Sequence, residues 1–312
     1  MLAEEELARH TPKGGSICTI GVFDGVHLGH RRLIQATIDE ARARGALSCV
    51  IALHPHPRTV LVPGSEVAVL TPIDDRIELI RELRVDLPVP LTFTRELSQL
   101  SAGEFIDLLQ KHLHMIGLVV GPDFALGQGR EGSIPVLEEM GKEMGFTLRT
   151  ISFVEEDSVR VSSTAIRKAL EQGDAAAVSR LLGRPFFMHG TVLQGTGRGH
   201  QLGYPTANIK PDGNRALPAD GIYATRVHVD GTTHDSATYV GTRPTFDNGD
   251  REVEVFLFDF DGDLYGRDLR VEWVDKVRED RKFNSAEELV AQMAKDIEHA
   301  RILLTEHPVY ED

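Results

Sequence analysis

The chain is short of cysteine and of long apolar runs, and each shortage excludes a class of protein. Only two of its 312 residues are cysteine, Cys18 and Cys49, and both lie inside apolar stretches. They predict buried thiols rather than a disulfide framework or a metal site. The apolar runs stay far below the roughly 18 residues that a membrane-spanning helix needs, and residues 1–15 lack the apolar core of a signal peptide. We expect a cytoplasmic protein with no membrane partner.

Basic residues are also in deficit. The chain has 34 lysines and arginines against 48 acidic residues, which gives a net charge of −14. Nucleic-acid binding needs a basic surface that displaces counterions, so no nucleic-acid partner is expected. Anionic small molecules stay compatible with this charge, because a few arginines near glycine-rich segments can make a pocket locally positive. The candidates are Arg130, Arg167, Arg198 and Arg243.

The length suffices for two domains, and the pattern of the chain changes near residue 183. Before that point, strand-like runs alternate with amphipathic stretches, which predicts a Rossmann-like α/β domain, a parallel sheet covered by helices on both faces. The expected strands are Ser16–Phe23, Ser48–Leu53, Val89–Phe93, Gly117–Val120 and Thr147–Phe153. The expected helices include Leu28–Arg44, Asp74–Leu83, Ala102–His112 and Pro135–Gly145.

After Phe186, short runs rich in β-branched and aromatic residues recur between turns, which predicts a small antiparallel β-barrel. The runs are His189–Leu193, Ile222–Val229, Ser236–Val240, Glu252–Asp259 and Leu269–Val274. Turns are expected at Asp230-Gly231, Asn248-Gly249 and Asp261-Gly262. Ser285 begins a terminal helix to about Leu304, with Glu288 placed for a capping box. Helix Ala175–Leu182 and Gly183 mark the boundary, giving domains 1–183 and 184–312.

The segment Gly21–His30 carries the strongest chemical signal. A strand feeds a helix through a glycine-containing turn, which aims backbone N–H groups and the positive helix end at a phosphate. His27 and His30 are three residues apart and share one helix face, while Gly25 and Gly29 leave the backbone bare. This arrangement predicts a nucleotidyltransferase, with hydrogen-bond donors around a phosphorus under attack. The alternative is a helix-capping histidine beside a core histidine.

Two further segments of this domain indicate a nucleotide-binding site. The loop Gly121–Arg130 follows an apolar strand and ends in a basic, glycine-rich turn, although a plain loop would look similar. In Ser162–Arg167, hydroxyls open a helix and Arg167 sits one turn in, so amides, hydroxyls and a guanidinium can face one point. Capping alone would explain the hydroxyls but not the arginine.

The second domain has its own set of polar residues. Gly195–Gly199 is a glycine loop suited to folding over phosphates. Thr206 and Asn208 are two residues apart and would point to one side of an extended segment, offering Mg²⁺ oxygen ligands; a turn with a bonded asparagine is the alternative. Glu254 alternates with apolar neighbours, so it is either a wet-face residue or the general base for an alcohol.

Together these segments resemble the bifunctional riboflavin kinase/FMN adenylyltransferase family, the bacterial FAD synthetases. The resemblance runs from about Ile17 to Arg301 and includes Gly241–Phe246, Asp263–Gly266 and Arg278–Phe283. It implies an adenylyltransferase domain at 1–183 and a riboflavin kinase domain at 184–312. We predict catalytic roles for Glu254, His27 and His30, and Mg²⁺ ligation by Thr206 and Asn208. Predicted nucleotide-binding residues are Asp24, Gly29, Asp123, Arg130, Ser163, Thr164, Arg167, Gly197 and Arg198.

The implied function is flavin cofactor synthesis. ATP would phosphorylate riboflavin to FMN, and a second ATP would adenylate FMN to FAD with release of pyrophosphate, with Mg²⁺ as cofactor. Two alternatives remain open: a kinase whose first domain is idle or adenylates another phosphate, and a flavin-binding regulator without turnover. Departures from the family pattern lie at Leu53-His54, Ala125-Leu126, Tyr239 and Asp280; the first two border the adenylyltransferase pocket.

Overall fold

The computed structural model describes residues 1–195, 199, 202–211, 213–242 and 251–307. The chain divides into two compact units, Met1–Ser163 and Thr164–Asp312, and each is described by itself. The division lies before the boundary predicted after residue 183, because residues 164–183 group with the second unit. The functional boundary therefore stays a prediction.

The first unit is built on a parallel sheet, as predicted. Its strands are β1 (Ser16–Gly21), β2 (Leu47–His54), β3 (Leu87–Thr92), β4 (Met115–Val120) and β7 (Thr147–Thr150). Two small hairpins accompany it, formed by β5 (Ala125–Leu126), β6 (Gly132–Ser133), β8 (Glu155–Glu156) and β9 (Val159–Arg160). The helices are α1 (Leu2–Ala8), α2 (Leu28–Ala43), α3 (Pro57–Leu61), α4 (Ile73–Glu82), α5 (Ala102–Leu113) and α6 (Ile134–Met144).

Strand β1 is buried on both faces, because successive side chains of a strand point to opposite sides. Ile17 joins one apolar cluster with Ala41 of α2. Cys18 belongs to the other cluster with Ile106 of α5, and it lies in register beside Cys49 of β2. Both thiols are free and fully buried. Helices therefore pack on both sheet faces, as the alternating pattern predicts.

The strand order β3-β2-β1-β4-β7 positions the site of this unit. The chain leaves β1 towards β2 on one side, whereas β4 lies on the other side of β1. In parallel sheets, such a reversal of strand order opens a crevice at the carboxyl ends of the two strands, where ligands bind. Here the crevice is flanked by the turn after Gly21 and the loop after Val120.

The second unit is a closed antiparallel barrel, which confirms the predicted architecture. Its strands run in the order β10-β11-β14-β13-β12-β15 and span β10 (Phe186–Leu193), β11 (Ala207–Ile209), β12 (Gly221–Val229), β13 (Thr232–Thr242), β14 (Arg251–Leu257) and β15 (Asp268–Glu279). The helices are α7 (Ser163–Glu171), which begins at the last residue of the first unit, α8 (Ala175–Leu182) and α9 (Ala286–Glu306). Asp230 and Gly231 both have positive φ and turn β12 into β13. The predicted turn at 248–249 lies outside the described residues.

Helix α9 begins as predicted but with a different cap. The Ser285 hydroxyl accepts the N–H of Glu288 at 3.2 Å. The Glu288 carboxylate accepts the N–H of Asn284 at 3.1 Å rather than that of Ser285. The expected capping box is therefore wrong in its second half, because the carboxylate reaches one residue further back. At the other end of the helix, buried Arg226 of β12 donates to the carbonyl oxygen of Leu304 at 2.8 Å.

Candidate functional sites

The turn between β1 and α2 has an unusual backbone. Phe23, Gly25 and Val26 have positive φ values of 52°, 92° and 40°, and a hydrogen bond of 3.0 Å from the N–H of Val26 to the carbonyl of Phe23 closes the turn. Left-handed conformations of residues other than glycine cost about 1–3 kcal/mol each and persist only where the surroundings enforce them. Both side chains are buried. The turn is therefore held by its neighbours.

Asp24 lies inside this turn rather than facing outward. Its carboxylate oxygens accept the N–H groups of Leu70 at 3.1 Å and Thr71 at 2.9 Å. The Arg76 guanidinium lies 3.7 Å from Oδ1, and the main-chain oxygen of Asp24 accepts the Ser163 hydroxyl at 2.8 Å. Nucleotide binding by Asp24 stays a prediction, but the geometry gives the buried carboxylate a backbone-holding role.

His27 and His30 come together as the spacing predicts. Their rings stack with centroids 3.5 Å apart and 13° between the planes. His27 is the N-cap of α2, and its Nδ1 accepts the backbone N–H of His30 at 3.2 Å. Neutral His27 must therefore carry its proton on Nε2, since Nδ1 is an acceptor. The capping alternative is therefore correct for Nδ1 of His27.

His30 lies in an environment that keeps its imidazole neutral. Burial lowers its pKa well below the ordinary value of 6.5, and the charges of His27 and Arg76 lower it further. The edge of Phe23 packs against the ring at a centroid distance of 5.1 Å. Within the described part of the chain, the buried Nδ1 of His30 has no hydrogen-bond partner.

Gly29 lies between the two histidines on the first turn of α2. A Cβ atom there would stand 3.2 Å from the His27 ring, closer than ordinary contact. Glycine therefore lets the His27 ring fold back over the helix. Gly29, both histidines and Ser163, whose hydroxyl bonds the Asp24 main-chain oxygen, belong to the first unit, and their roles at a nucleotide stay predictions.

The loop after β4 holds Asp123 and Arg130 together but on the surface. The Arg130 guanidinium donates to the Asp123 carbonyl at 2.7 Å, and the Asp123 carboxylate pairs with Arg160 of β9 at 2.7 Å. Gly127 anchors the loop: its φ is +79°, and a Cβ would stand 2.6 Å from the amide nitrogen of Ala102. The other predicted residues, Thr164 and Arg167, lie on α7 within the second unit.

The barrel brings Thr206, Asn208 and Glu254 to one place. Asn208 and Glu254 face each other across β11 and β14, and the Thr206 hydroxyl donates to Glu254 Oε2 at 3.2 Å. The Asn208 amide donates to the Thr206 carbonyl at 3.4 Å. All three line a cavity of about 430 Å³ that extends to exposed Tyr265. Tyr239, a departure from the family pattern, pairs with Glu254 from β13.

Glu254 is half-buried and lies on the strand face opposite Val253 and Val255, which are fully buried. Glu254 therefore lies on the solvent-facing side of β14, as the alternative interpretation of this residue expects. That interpretation does not account for the neighbours, because the carboxylate lies beside the Thr206 hydroxyl in a cavity. A carboxylate in such a cavity can accept a proton from a bound alcohol.

Two glycines bring backbone onto this cluster. A Cβ at Gly195 would collide with the amide of Asn208, and a Cβ at Gly199 would collide with the Tyr204 carbonyl and stand 3.0 Å from Thr206 Oγ1. The backbone at Gly195 and Gly199 therefore lies directly against the two predicted metal ligands. Gly197 and Arg198 lie outside the described residues, as does Arg243.

Two buried charged residues, Arg76 and Asp296, make contacts that are not evident from the sequence. Arg76 lies on the buried face of α4 with Ile77 and Ile80, and the sequence has no signal for its hydrogen bonds to the β1–α2 turn. Asp296 is the buried acidic residue of α9 and pairs with Arg278, its Oδ2 2.8 Å from Nη2. Arg278 belongs to a segment of the family resemblance, but the sequence has no signal for its partner, because the pair joins a strand to a distant helix.

Comparison with known proteins identifies both parts of the chain. The FAD synthetase family matches residues 10–165 and the riboflavin kinase family residues 182–304. The bifunctional riboflavin kinase/FMN adenylyltransferase of Escherichia coli (strain K12) is 39% identical over 287 residues, 91% of each protein. The protein of the same name from Bacillus subtilis (strain 168) is 34% identical over 304 residues, 96% of this chain and 94% of the relative.

A solved structure is similar over nearly the same length. The crystal structure titled macrolide-efflux protein from Streptococcus pneumoniae has a TM-score of 0.88 and 28% identity, covering 96% of this chain and 97% of that one. Its title names transport, whereas the two family matches and the curated relatives name flavin enzymes. In the described ranges of the present chain, no helix is both long enough and apolar enough to cross a membrane.

Proposed function

Because this chain belongs to the bifunctional riboflavin kinase/FMN adenylyltransferase family, we propose that it phosphorylates riboflavin to FMN and adenylates FMN to FAD. The observation that carries the proposal is that one chain holds two separate polar sites. One has Glu254 beside Thr206 and Asn208. The other has the stacked His27 and His30 beside the turn between β1 and α2.

In the barrel, Glu254 acts as general base. The ribityl hydroxyl oxygen of riboflavin attacks the γ-phosphorus of ATP, its proton passes to the Glu254 carboxylate, and ADP leaves. A base positioned in this way contributes about 10²–10⁴-fold to a rate. The Thr206 hydroxyl, 3.2 Å from Oε2, keeps the carboxylate oriented toward the cavity.

Thr206 and Asn208 would hold Mg²⁺ in this site. A hydroxyl and an amide oxygen are hard oxygen ligands of the kind that Mg²⁺ takes together with substrate phosphates. The close approach of Gly195 and Gly199 leaves the neighbouring backbone without side chains, as a phosphate site requires. When bound, the ion would neutralise phosphate charge. Gly197 and Arg198 are proposed to contact the same nucleotide.

In the first unit, an oxygen of the FMN phosphate attacks the α-phosphorus of a second ATP, and pyrophosphate leaves. The Nε2–H of His27 and the neutral ring of His30 donate hydrogen bonds to the charge that develops on the α-phosphoryl oxygens. We assign the leaving phosphates to Arg167 and to the hydroxyls of Ser163 and Thr164. Asp123 and Arg130 are assigned to the same nucleotide from the loop after β4.

One reaction followed by chromatography tests this function. With ATP, Mg²⁺ and riboflavin, the chain should form FMN first and FAD second, and FAD should form directly from supplied FMN. A mixture that stops at FMN would identify a kinase with an idle or differently specific first domain. Binding of flavin with no product would identify a regulator and contradict the proposal.

A further inference from the structure

A buried arginine outside the predicted site joins three segments of the first unit. Arg76 of α4 is 4% exposed. Its guanidinium donates to the carbonyl oxygens of Val22 at 2.6 Å, Leu53 at 3.1 Å and Thr71 at 2.9 Å. These oxygens belong to the turn after β1, the end of β2 and the segment before α4. One rigid, planar side chain therefore fixes the positions of all three.

Asp24 completes this arrangement from the other side. Its carboxylate binds the N–H groups of Leu70 and Thr71 and lies 3.7 Å from the Arg76 guanidinium. Both side chains are almost fully buried, so each charge needs the other as well as its hydrogen bonds. We call Asp24 and Arg76 the turn clamp.

The turn clamp lies where the backbone is strained. Phe23 and Val26 both have positive φ. Val22, which accepts a hydrogen bond from Arg76, and Asp24 lie directly before and after Phe23. His27 follows Val26 and begins α2. The conformation of this turn therefore decides where the His27 and His30 rings stand.

We propose that Arg76 is a positioning residue for adenylyl transfer: with Asp24 it locks the β1–α2 turn so that His27 and His30 meet the α-phosphoryl group. The inference rests on the proposed roles of the two histidines. Arg76 acts through them, because its hydrogen bonds go to backbone carbonyls.

The same guanidinium acts on His30 electrostatically. The charged and titratable groups that face His30 are His27 on its own helix, Arg76 from α4, and Asp24, which pairs with Arg76. Burial lowers the His30 pKa first, and the charges of His27 and Arg76 add to this effect. Loss of the arginine charge should therefore raise the His30 pKa, whereas exchange of Arg76 for lysine, which keeps the charge, should leave that pKa low.

The test compares Arg76→Met and Arg76→Lys with Arg81→Met, a matched control on the same helix whose side chain is exposed. Each full-length variant is assayed for FMN adenylylation and, separately, for riboflavin phosphorylation. Thermal unfolding checks the fold, and the His30 ring is titrated by NMR. His30→Gln is assayed alongside, so that failure of the proposed histidine role is seen separately.

In Arg76→Met we expect the kcat of adenylylation to fall at least about tenfold, since misplacing reacting groups by 1 Å can cost about 10²-fold. The KM for ATP should stay within about threefold, riboflavin phosphorylation should be unchanged, and the His30 pKa should rise. Arg76→Lys should keep the low pKa but lose activity, because an ammonium group cannot span the three carbonyls.

Two results would overturn the inference. One is a folded Arg76→Met variant with kcat within twofold of the parent and an unchanged His30 titration. The other, decisive if Arg76→Met does not fold, is an Arg76→Lys variant with full adenylylation activity. If His30→Gln is fully active, the histidine role itself is wrong, whatever the Arg76 variants do.

Discussion

Replacement of Gly195 by alanine should impair the kinase through one methyl group. The added Cβ would stand 2.7 Å from Asn208 Cγ and would collide with the amide nitrogen, whereas ordinary contact begins at 3.4 Å. Either the loop or the Asn208 side chain must shift by several tenths of an ångström. Because a 1 Å misplacement in an active site can cost about 10²-fold, we expect kcat/KM for riboflavin phosphorylation to fall about 10- to 100-fold.

The assay follows riboflavin phosphorylation by Gly195→Ala, with adenylylation of supplied FMN as the control in the same preparation. Adenylylation should not change, since Gly195 lies in the barrel. Asn208→Ala and the double variant complete a mutant cycle. If the damage comes from the Asn208 collision, the double variant should be no worse than Asn208→Ala alone. Normal phosphorylation by Gly195→Ala would refute the argument.

Three further outcomes are expected. Glu254→Gln should slow riboflavin phosphorylation about 10²–10⁴-fold with flavin affinity retained; near-normal turnover would leave Glu254 as a surface residue of its strand. The double variant His27→Ala/His30→Ala should form FMN and stop, since each lost donor is worth about 3 kcal/mol; FAD formed at the parent rate would contradict this. Because the His30 pKa is lowered on folding, the unfolded chain binds more protons than the folded one below pH 6.5. The melting temperature should therefore fall as pH drops through this range, and His30→Gln should weaken that dependence; equal pH dependence in both would refute the assignment.

Sequence patterns predicted the parts of this protein whose signals are local. Strand and helix periodicity predicted the sheet and the barrel, and the spacing of His27 and His30 predicted that they share one helix face, although not that their rings stack. Helix α1 was not predicted, because its segment reads as polar. Only Ala3 and Leu7, four residues apart, are buried in it, too few for a clear period.

The turn clamp could not be predicted for a different reason. Asp24 lies in the segment Gly21–His30 and is predicted from the sequence to bind the nucleotide. Its direction is set by the N–H groups of Leu70 and Thr71, more than forty residues along the chain. No short-range pattern contains that information, and the same holds for Arg278 and Asp296.

The two free cysteines provide a natural probe for opening of the parallel sheet. Cys18 and Cys49 are neighbours on β1 and β2, both are fully buried, and no other cysteine occurs in the 312 residues. The hydrogen bond that the Cys49 thiol makes with Cys18, followed by burial, raises the Cys49 pKa well above its ordinary value, so the native thiol is unreactive. The rate of thiol labelling therefore measures how often the central strands open, without any engineered probe. Opening of the barrel does not change the rate of labelling, because both cysteines lie in the parallel sheet.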